Sequence, residues 1–251
     1  MAEASALDSL GLVLEKAGEL KAARECLQRA LSIREGVAGE WDPRVASTRE
    51  GLASVLIAQR ELPEALGQLQ RALLVRERVL GPEHPGVANT LGNIGSVLDM
   101  QRRFGEALGY QQRALEIRER ALGEEHSDIA TSLINTGNVL AHLGRKEESL
   151  EHYRRAAVIM EHALGDGHPN VASAWINIGI TLVEMGRLDE ALAHDRRTLA
   201  RLERTWGPRH SVVAYALVGL TTVTLAQGDH AAIRVIGRPA SSSSRARGTR
   251  Y

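Results

Sequence analysis

The sequence lacks long apolar runs and has a single cysteine, Cys26. No stretch of about 18 or more apolar residues occurs, so no membrane-spanning helix is predicted. The start, Met1-Ala2-Glu3-Ala4, has neither the basic nor the apolar segment of a signal peptide. One cysteine excludes an intramolecular disulfide and is typical of a reducing compartment. We therefore expect a cytoplasmic protein.

Aromatic residues and an excess of charge are also missing. Aromatic side chains make up only 3% of the chain, so a core must be built from Ala, Leu, Val and Ile. The formal net charge is zero, from 31 basic and 31 acidic residues. Nucleic-acid binders usually carry a clustered positive excess, so the composition argues against one. Nearly all basic residues are Arg, which together with the many Ala and Gly residues suggests a GC-rich bacterial genome.

Motifs for nucleotide binding and hydrolysis are absent as well. The chain has no Walker loop, no dinucleotide-binding glycine pattern, no G-x-S-x-G and no H-E-x-x-H. Cys26 does not recur at the same position of other repeats, and nothing in the sequence indicates that it is a nucleophile. We expect no catalytic site and no cofactor.

A repeat of 42 residues is the dominant feature that is present. The segment His84-Pro85-Gly86-Val87-Ala88 returns, with substitutions, at positions 126, 168 and 210, and a degenerate copy begins at Asp42. A fixed period in this range indicates stacked structural repeats. Such an array is one elongated body whose length scales with the number of copies.

Each repeat is predicted to hold two antiparallel helices. First helices are expected at about 85–100, 127–143, 169–185 and 211–227, and second helices at about 62–80, 104–122, 146–164 and 188–206. Two sets of glycines end them, and both are expected in the left-handed conformation of a helix C′ residue. The sets are Gly18, Gly144, Gly186 and Gly228 between the helices, and Gly39, Gly81, Gly123, Gly165 and Gly207 after the second helix.

Small residues recur inside the helices. A mid-helix Gly costs about 1 kcal/mol relative to Ala, so its return at one position predicts a tight helix crossing. That position holds Gly11, Ala53, Gly95, Gly137 and Gly179. Large apolar residues alternate with the small ones, as ridges entering grooves require.

This pattern resembles the tetratricopeptide repeat, whose basic unit is about 34 residues long. The 42-residue version, with Leu80-Gly81-Pro82-Glu83-His84-Pro85 and the second-helix segment 113–123, is similar to the kinesin light chain subtype. The resemblance covers about residues 5–228. It departs at Ser127 and Ser211, where Pro is expected, and at Gly51 and Gly219, where Asn is expected. It implies an all-α, right-handed superhelical solenoid of antiparallel helix pairs.

The array is expected to span residues 1–236, followed by a disordered basic tail at 237–251. The repeats are placed at about 1–42, 43–84, 85–126, 127–168 and 169–210, with a partial copy at 211–236. Neither end carries the polar cap that a solenoid end requires, which suggests a fragment of a longer protein.

The recurrent histidines and charges are interpreted as structural. The histidines at 84, 126, 168 and 210 occur once per repeat, about 10 Å apart, which is too far for one metal ion. They are expected to be polar turn residues at helix starts. Two second-helix series are expected to form a ladder of pairs: Arg29, Arg71, Arg113, Arg155, Arg197 and Glu35, Glu77, Glu119, Glu161, Glu203.

The resemblance implies that a peptide or helix of a partner protein binds in the concave groove formed by the first helices. Amide side chains suit this role because they both donate to and accept from a peptide backbone. The implied groove residues are Asn89, Asn93, Ser96, Asp99, Thr131, Ile134, Asn135, Asn138, Ser173, Ile176, Asn177 and Ile180. Asn93, Asn135 and Asn177 share one repeat position and are equally well explained as ties between helices.

Three other functions remain open. The chain could be the regulatory arm of a larger bacterial signalling protein with a nucleotide-binding switch domain, and the reading frame on either side would decide this. It could be a scaffold that self-associates through its uncapped ends, which light scattering would detect. An enzyme is disfavoured because no acid, base and nucleophile converge.

Overall fold

The computed structural model describes residues 1–165 and 168–228 of the 251-residue chain. Within those residues the structure contains α-helices and no β-strand. The helices are α1 Ala2–Lys16, α2 Leu20–Ala38, α3 Pro43–Ala58, α4 Leu62–Leu80, α5 Pro85–Met100, α6 Phe104–Leu122, α7 Ser127–His142, α8 Lys146–Leu164, α9 Pro169–Glu184, α10 Leu188–Trp206 and α11 Ser211–Ala226. The predicted all-α solenoid of helix pairs is confirmed. The predicted partial second helix after residue 228 and the tail at 237–251 lie outside the described residues.

The chain divides into two compact bodies. The N-terminal body, residues 1–152, contains α1 to α7 and the first part of α8. Most of its core is a cluster of aliphatic side chains contributed by successive helix pairs, including Leu27, Leu56, Leu98 and Leu140, and a smaller cluster holds Ala46, Ala72 and Val75. No helix in the described part of the chain is long and apolar enough to cross a bilayer.

The C-terminal body begins at residue 153 and contains the rest of α8 with α9, α10 and α11. Its buried side chains include Tyr153 and Trp175 beside aliphatic residues such as Leu182 and Val213. The expectation of a purely aliphatic core is therefore wrong for this body, where Trp175 is only 4% exposed. The reason is local: the Trp175 Nε1–H donates to Glu161 at 2.8 Å, so its one polar atom stays satisfied when the ring is buried.

The recurrent histidine is the N-cap of α5, α7, α9 and α11. His84 Nδ1 accepts a hydrogen bond from the backbone N–H of Gly86 at 3.0 Å, and the other three histidines make the same contact. At the degenerate copy, Asp42 Oδ1 accepts from the N–H of Arg44 at 2.8 Å. An N-cap acceptor satisfies one of the amides that the first helical turn leaves without a partner. The predicted role at helix starts is thus confirmed, and the capping bond explains it.

The glycines between the two helices of a pair have positive φ, as predicted; Gly18 has φ 82° and Gly144 has φ 77°. Two repeats place arginine at this position instead, and Arg60 and Arg102 have φ 67° and 61°. An L-residue other than Gly is strained there. The turn geometry is therefore imposed by the packing of the helices and not by glycine alone.

The glycines after the second helices differ from the prediction in ψ. Gly39 has φ 81° and ψ 165°, and Gly207 has φ 76° and ψ 159°. These values lie outside the left-handed helical region, in a region accessible essentially to Gly only. The chain therefore leaves each second helix in an extended direction, which carries it to the N-cap of the next first helix.

The tight crossing predicted at the mid-helix small residue is confirmed. A Cβ placed on Gly11 would lie 2.7 Å from Leu27 Cγ, and one on Gly95 would lie 2.7 Å from Gln111 Nε2. Both distances are shorter than a carbon can tolerate, so the two helices of a pair meet at this point without a side chain between them. Serine fills the opposing small position in one repeat, where Ser149 Oγ donates to the Gly137 carbonyl at 2.8 Å.

We predict that Gly95→Ala lowers the free energy of unfolding by about 1–3 kcal/mol, because the new methyl group displaces the Gln111 side chain. Gly109 provides the matched control: it lies inside α6 of the same helix pair, and a Cβ there meets no atom within 4 Å. Gly109→Ala should raise stability by about 0.5–1 kcal/mol through the lower entropy of the unfolded chain. Urea denaturation measures both, and equal effects would contradict the crossing.

We further predict that His84→Ala lowers the free energy of unfolding by about 1 kcal/mol, because the Gly86 amide loses its acceptor. His84→Asp should restore it, since Asp42 performs the same function natively. Thermal melting at neutral pH compares the three proteins, and an Asp variant as unstable as the Ala variant would argue against the cap.

Candidate functional site

The sequence-predicted groove residues all lie at exposed or half-buried positions of first helices. Those on α5 are Asn89, Asn93, Ser96 and Asp99; those on α7 are Thr131, Ile134, Asn135 and Asn138; those on α9 are Ser173, Ile176, Asn177 and Ile180. The α5 and α7 residues belong to the N-terminal body, and the α9 residues belong to the C-terminal body. The structure therefore places them in two sets.

Several polar members of these sets already have partners within the chain. Asn89 Oδ1 accepts from Arg118 at 2.8 Å, and Asp99 Oδ1 lies 2.7 Å from His142 Nδ1. Ser96 Oγ donates to the Gly92 carbonyl at 3.0 Å. Thr131 Oγ1 donates to the Ser127 carbonyl. Asn138, Ser173 and Asn177 also take part in intramolecular interactions. Asn89, which the repeat pattern left unexplained, thus has an intramolecular partner.

The second helices of the N-terminal body contain a row of arginines that sequence reasoning missed. Arg34 is only 5% exposed and forms an ion pair with Asp8 of α1. One repeat later, Arg76 pairs with Glu50 of α3 at 2.5 Å. The signal was present in the sequence, because Asp8 and Glu50 are separated by one 42-residue period, as are the two arginines.

The third member of this row, Arg118, has no acid at the position that Asp8 and Glu50 occupy in the preceding repeats. Gly92 occupies the position of the acid, so Arg118 binds the hydroxyl of Ser132 and the amide oxygen of Asn89 instead. Burial lowers the pKa of Arg118. A neutral hydroxyl and amide therefore contact a guanidinium that a carboxylate contacts in the preceding repeats, and the charge of Asp128 partly offsets the effect of burial on its pKa.

The predicted ladder of arginine and glutamate is observed at one position of the N-terminal body. Arg113 pairs with Glu77 of the preceding repeat at 2.7 Å and also approaches a backbone carbonyl. In the C-terminal body, Arg197 donates to the carbonyl of Ala193 on its own helix at 3.2 Å. Both contacts are of the structural kind that was expected, and partly exposed pairs of this type contribute little each.

A polar cluster surrounds Trp175 in the C-terminal body. Glu161 accepts from Trp175 Nε1, and Arg201 lies over the indole ring at 5.1 Å from its centre. His194 Nε2 is 2.8 Å from the Trp175 carbonyl oxygen, and burial lowers the pKa of this imidazole. The imidazole is therefore neutral and held in place, which gives it a structural role. In the described part of the chain, no group of three or more His, Cys, Asp or Glu side chains has the arrangement of a metal site.

The C-terminal body has two concavities of about 360 Å³, a more polar one beside Trp175 and an apolar cleft between α9 and α11. The apolar cleft is lined mainly by Ile176, Ile180, Val183, Tyr215 and Val218, and we call it the α9–α11 cleft. Three of these side chains are unusually exposed for apolar groups: Ile180 at 49%, Tyr215 at 66% and Val218 at 64%. Contiguous exposed apolar surface of this kind is typical of binding sites.

Asp195 of α10 forms part of the wall of the α9–α11 cleft. Its side chain is 6% exposed, and Oδ2 meets no hydrogen-bond partner among the described residues. Burial without such a partner raises the pKa of this carboxyl to about 6. Sequence reasoning missed Asp195. The available signal was that Leu27 and Leu69 occupy the same position in earlier repeats.

The raised pKa of Asp195 predicts a specific dependence of stability on pH. The ordinary value is 3.8 and the folded value is about 6, so the folded chain binds the extra proton between them. The free energy of unfolding therefore falls as pH rises from about 4 to about 6, by about 3 kcal/mol from this group. Asp195→Asn should lack this decline in urea melts. A difference between the two proteins that does not change with pH would contradict the assignment.

The fold and the position of the cleft allow comparison with known proteins. The profile of the tetratricopeptide repeat family matches overlapping segments at residues 2–66, 44–120, 100–157, 128–204 and 170–236. No curated protein sequence matches the chain. Several solved structures are similar in fold at low sequence identity.

A putative kinesin light chain repeat protein of Podosopora anserina is 18% identical, with a TM-score of 0.72 over 80% of this chain and 96% of that one. BtubC from P. vanneervenii is 18% identical, with a TM-score of 0.71 over 88% of this chain and 86% of that one. A signal transduction ATPase of Pyrococcus horikoshii with a tetratricopeptide repeat sensor is 14% identical, with a TM-score of 0.75; the match covers 93% of this chain and 35% of that protein.

The profile matches together extend over residues 2–236, which is most of the chain. Repeats of this kind generally mediate protein–protein interaction, and their fold is typically non-catalytic. The chain belongs to the tetratricopeptide repeat family.

Proposed function

We propose that this chain is a non-catalytic module that binds a peptide segment of a partner protein, and that the α9–α11 cleft is the main contact. The observation that carries the proposal is the cluster of exposed apolar side chains, Ile180, Tyr215 and Val218, around one concavity. Apolar surface of this size is costly to leave in water, and a partner side chain would remove it from solvent.

The polar groove residues of the N-terminal body are assigned a secondary role. Asn93 and Asn135 occupy equivalent, partly accessible positions on α5 and α7, where their amides could pair with an extended backbone. Asn89 and Asp99 have intramolecular partners, so binding through them would require an exchange of hydrogen bonds. Such an exchange contributes less net free energy than covering an exposed apolar side chain.

The test is selection of random dodecapeptides on the full chain, followed by measurement of Kd by calorimetry. We predict that the double variant Ile180→Asp, Val218→Asp raises the Kd of the selected peptides at least tenfold, because two carboxylates would face the apolar side chains of the peptides. The matched control is Val37→Asp, Leu74→Asp, which changes side chains on second helices that are at least as exposed, at 67% and 59%.

The outcomes separate clearly. Enrichment of no peptide by the folded protein would contradict the binding module. Selected peptides that bind both double variants equally would contradict the assignment of the cleft. Circular dichroism of both variants establishes that each is folded.

A second candidate function is a regulatory arm of a larger signalling protein. It is supported by the similarity in fold to the ATPase whose repeats are described as a sensor. Self-association is a third candidate, because α1 exposes Leu10, Leu12 and Val13, the last of them at 63%. Peptide binding is favoured over both, since neither alternative accounts for the α9–α11 cleft.

A further inference from the structure

The position held by Asp195 is one that packing alone would fill with an apolar residue. In the first two repeats it holds Leu27 and Leu69, each 1% exposed. In the third it holds Gln111, whose Nε2 donates to the Gly92 carbonyl at 3.0 Å. A carboxylate without a partner at the same depth destabilises the fold, because burial removes its hydration without replacing it. Its presence in the fifth repeat therefore calls for a ligand that compensates the charge.

Two glycines leave room for the Asp195 carboxylate beside the cleft. A Cβ built on Gly219 of α11 would lie 3.2 Å from Oδ2, and one built on Gly179 of α9 would collide with Oδ1. Gly219 is one of the positions where the repeat pattern expects asparagine. A side chain there would crowd the carboxylate, whereas glycine leaves Asp195 as part of the cleft wall.

The chemistry of the α9–α11 cleft is thus an apolar lining with a negative charge at its base. Glu184 lies at its exposed rim and adds a second carboxylate on the same side. The side chain that matches both features is lysine, because its four-carbon stem packs on apolar surface while its ammonium group is a compact point charge. Arginine fits less well, since its planar group favours two accessible oxygens and Oδ2 is buried.

We propose that the α9–α11 cleft binds a lysine side chain of an extended partner segment, with the ammonium group on Asp195 and neighbouring apolar residues on Ile180, Tyr215 and Val218. This inference rests on the proposed peptide-binding function and specifies the partner. The lysine stem would lie along the cleft, and the backbone of the segment would follow the exposed faces of α9 and α11.

Ionisation of Asp195 links this binding to pH. Burial raises the pKa of its carboxyl to about 6, and the other titratable groups that line the cleft are Glu184 from α9 and Tyr215 from α11. An ammonium ligand binds the ionised carboxylate, so affinity should increase as pH rises from 5 to 7. By reciprocity, the bound ligand should lower the pKa of Asp195.

The experiment is a hexapeptide library in which each position in turn is held as lysine, norleucine or glutamate and the others vary among apolar residues. We expect the native chain at pH 7.5 to prefer lysine over norleucine at least tenfold at one position, since the two share a stem and differ in charge. Asp195→Asn should abolish the preference. Glu203→Gln, which removes an exposed charge from the same helix α10, should retain it.

Asp195→Leu provides a second variant whose folding is supported by the native Leu27 and Leu69. It should bind norleucine peptides at least as well as lysine peptides. In parallel, carbon-13 NMR of the Asp195 carboxyl should record a fall of its pKa by at least one unit on addition of the preferred lysine peptide.

The possible results distinguish this inference from the proposed function. If the folded chain binds apolar hexapeptides without preferring lysine, or if Asp195→Asn retains the preference, the lysine site is wrong and the peptide-binding module stands. If no hexapeptide and no selected dodecapeptide binds, both are wrong. An unchanged Asp195 pKa in the presence of a bound lysine peptide also overturns the lysine site.

Discussion

The structure depends on the close approach of the two helices in each repeat, at a point where the first helix has glycine or alanine. Gly11, Gly95 and Gly179 leave no room for a Cβ against the second helix. The opposing residue is consequently largely buried whatever its chemistry, because the close spacing of the helix axes leaves it little exposure to solvent. Close-packed interiors transmit such a constraint along the whole helix pair.

This constraint explains why polar residues at the crossing have different energetic consequences. Leu27 fills the crossing of the first repeat with apolar contact alone. Gln111 recovers part of its hydration by donating to a carbonyl of α5. An ionised Asp195 has no proton to donate, so it cannot make the equivalent bond. The fifth repeat thus combines the burial that the fold requires with a group that the fold does not satisfy.

The scaffold uses most of the polar side chains on the first helices for its own stability. The ion pairs of Arg34 and Arg76 and the contact of Arg118 with Asn89 join helices of the N-terminal body, and the histidine caps satisfy amides at the starts of first helices. Polar groups paired in this way hold the helices in register, but they have little capacity left for a partner. The C-terminal body differs in that exposed apolar groups and a buried carboxyl without a hydrogen-bond partner at Oδ2 line one cleft. The departures from the repeat, and not the repeat itself, therefore point to function.

The sequence by itself determined the helices and their ends. The second helix at 104–122 was predicted with the bounds of α6, and the first helix at 127–143 differs from α7 by one residue. These features are local, since a cap, a turn glycine and a helical period act within a few residues of chain.

The tertiary structure alone decided which side chains are satisfied. Whether Asn89 meets Arg118, or Asp195 meets any donor, depends on atoms of other helices and on distances of a few tenths of an ångström. The left-handed conformation of Arg60 likewise comes from the packing around the turn, because its own preference opposes it. Repeat periodicity predicts the position of a residue along a helix. The pKa of a carboxyl group and the hydrogen-bond partner of an amide depend on the neighbouring helices.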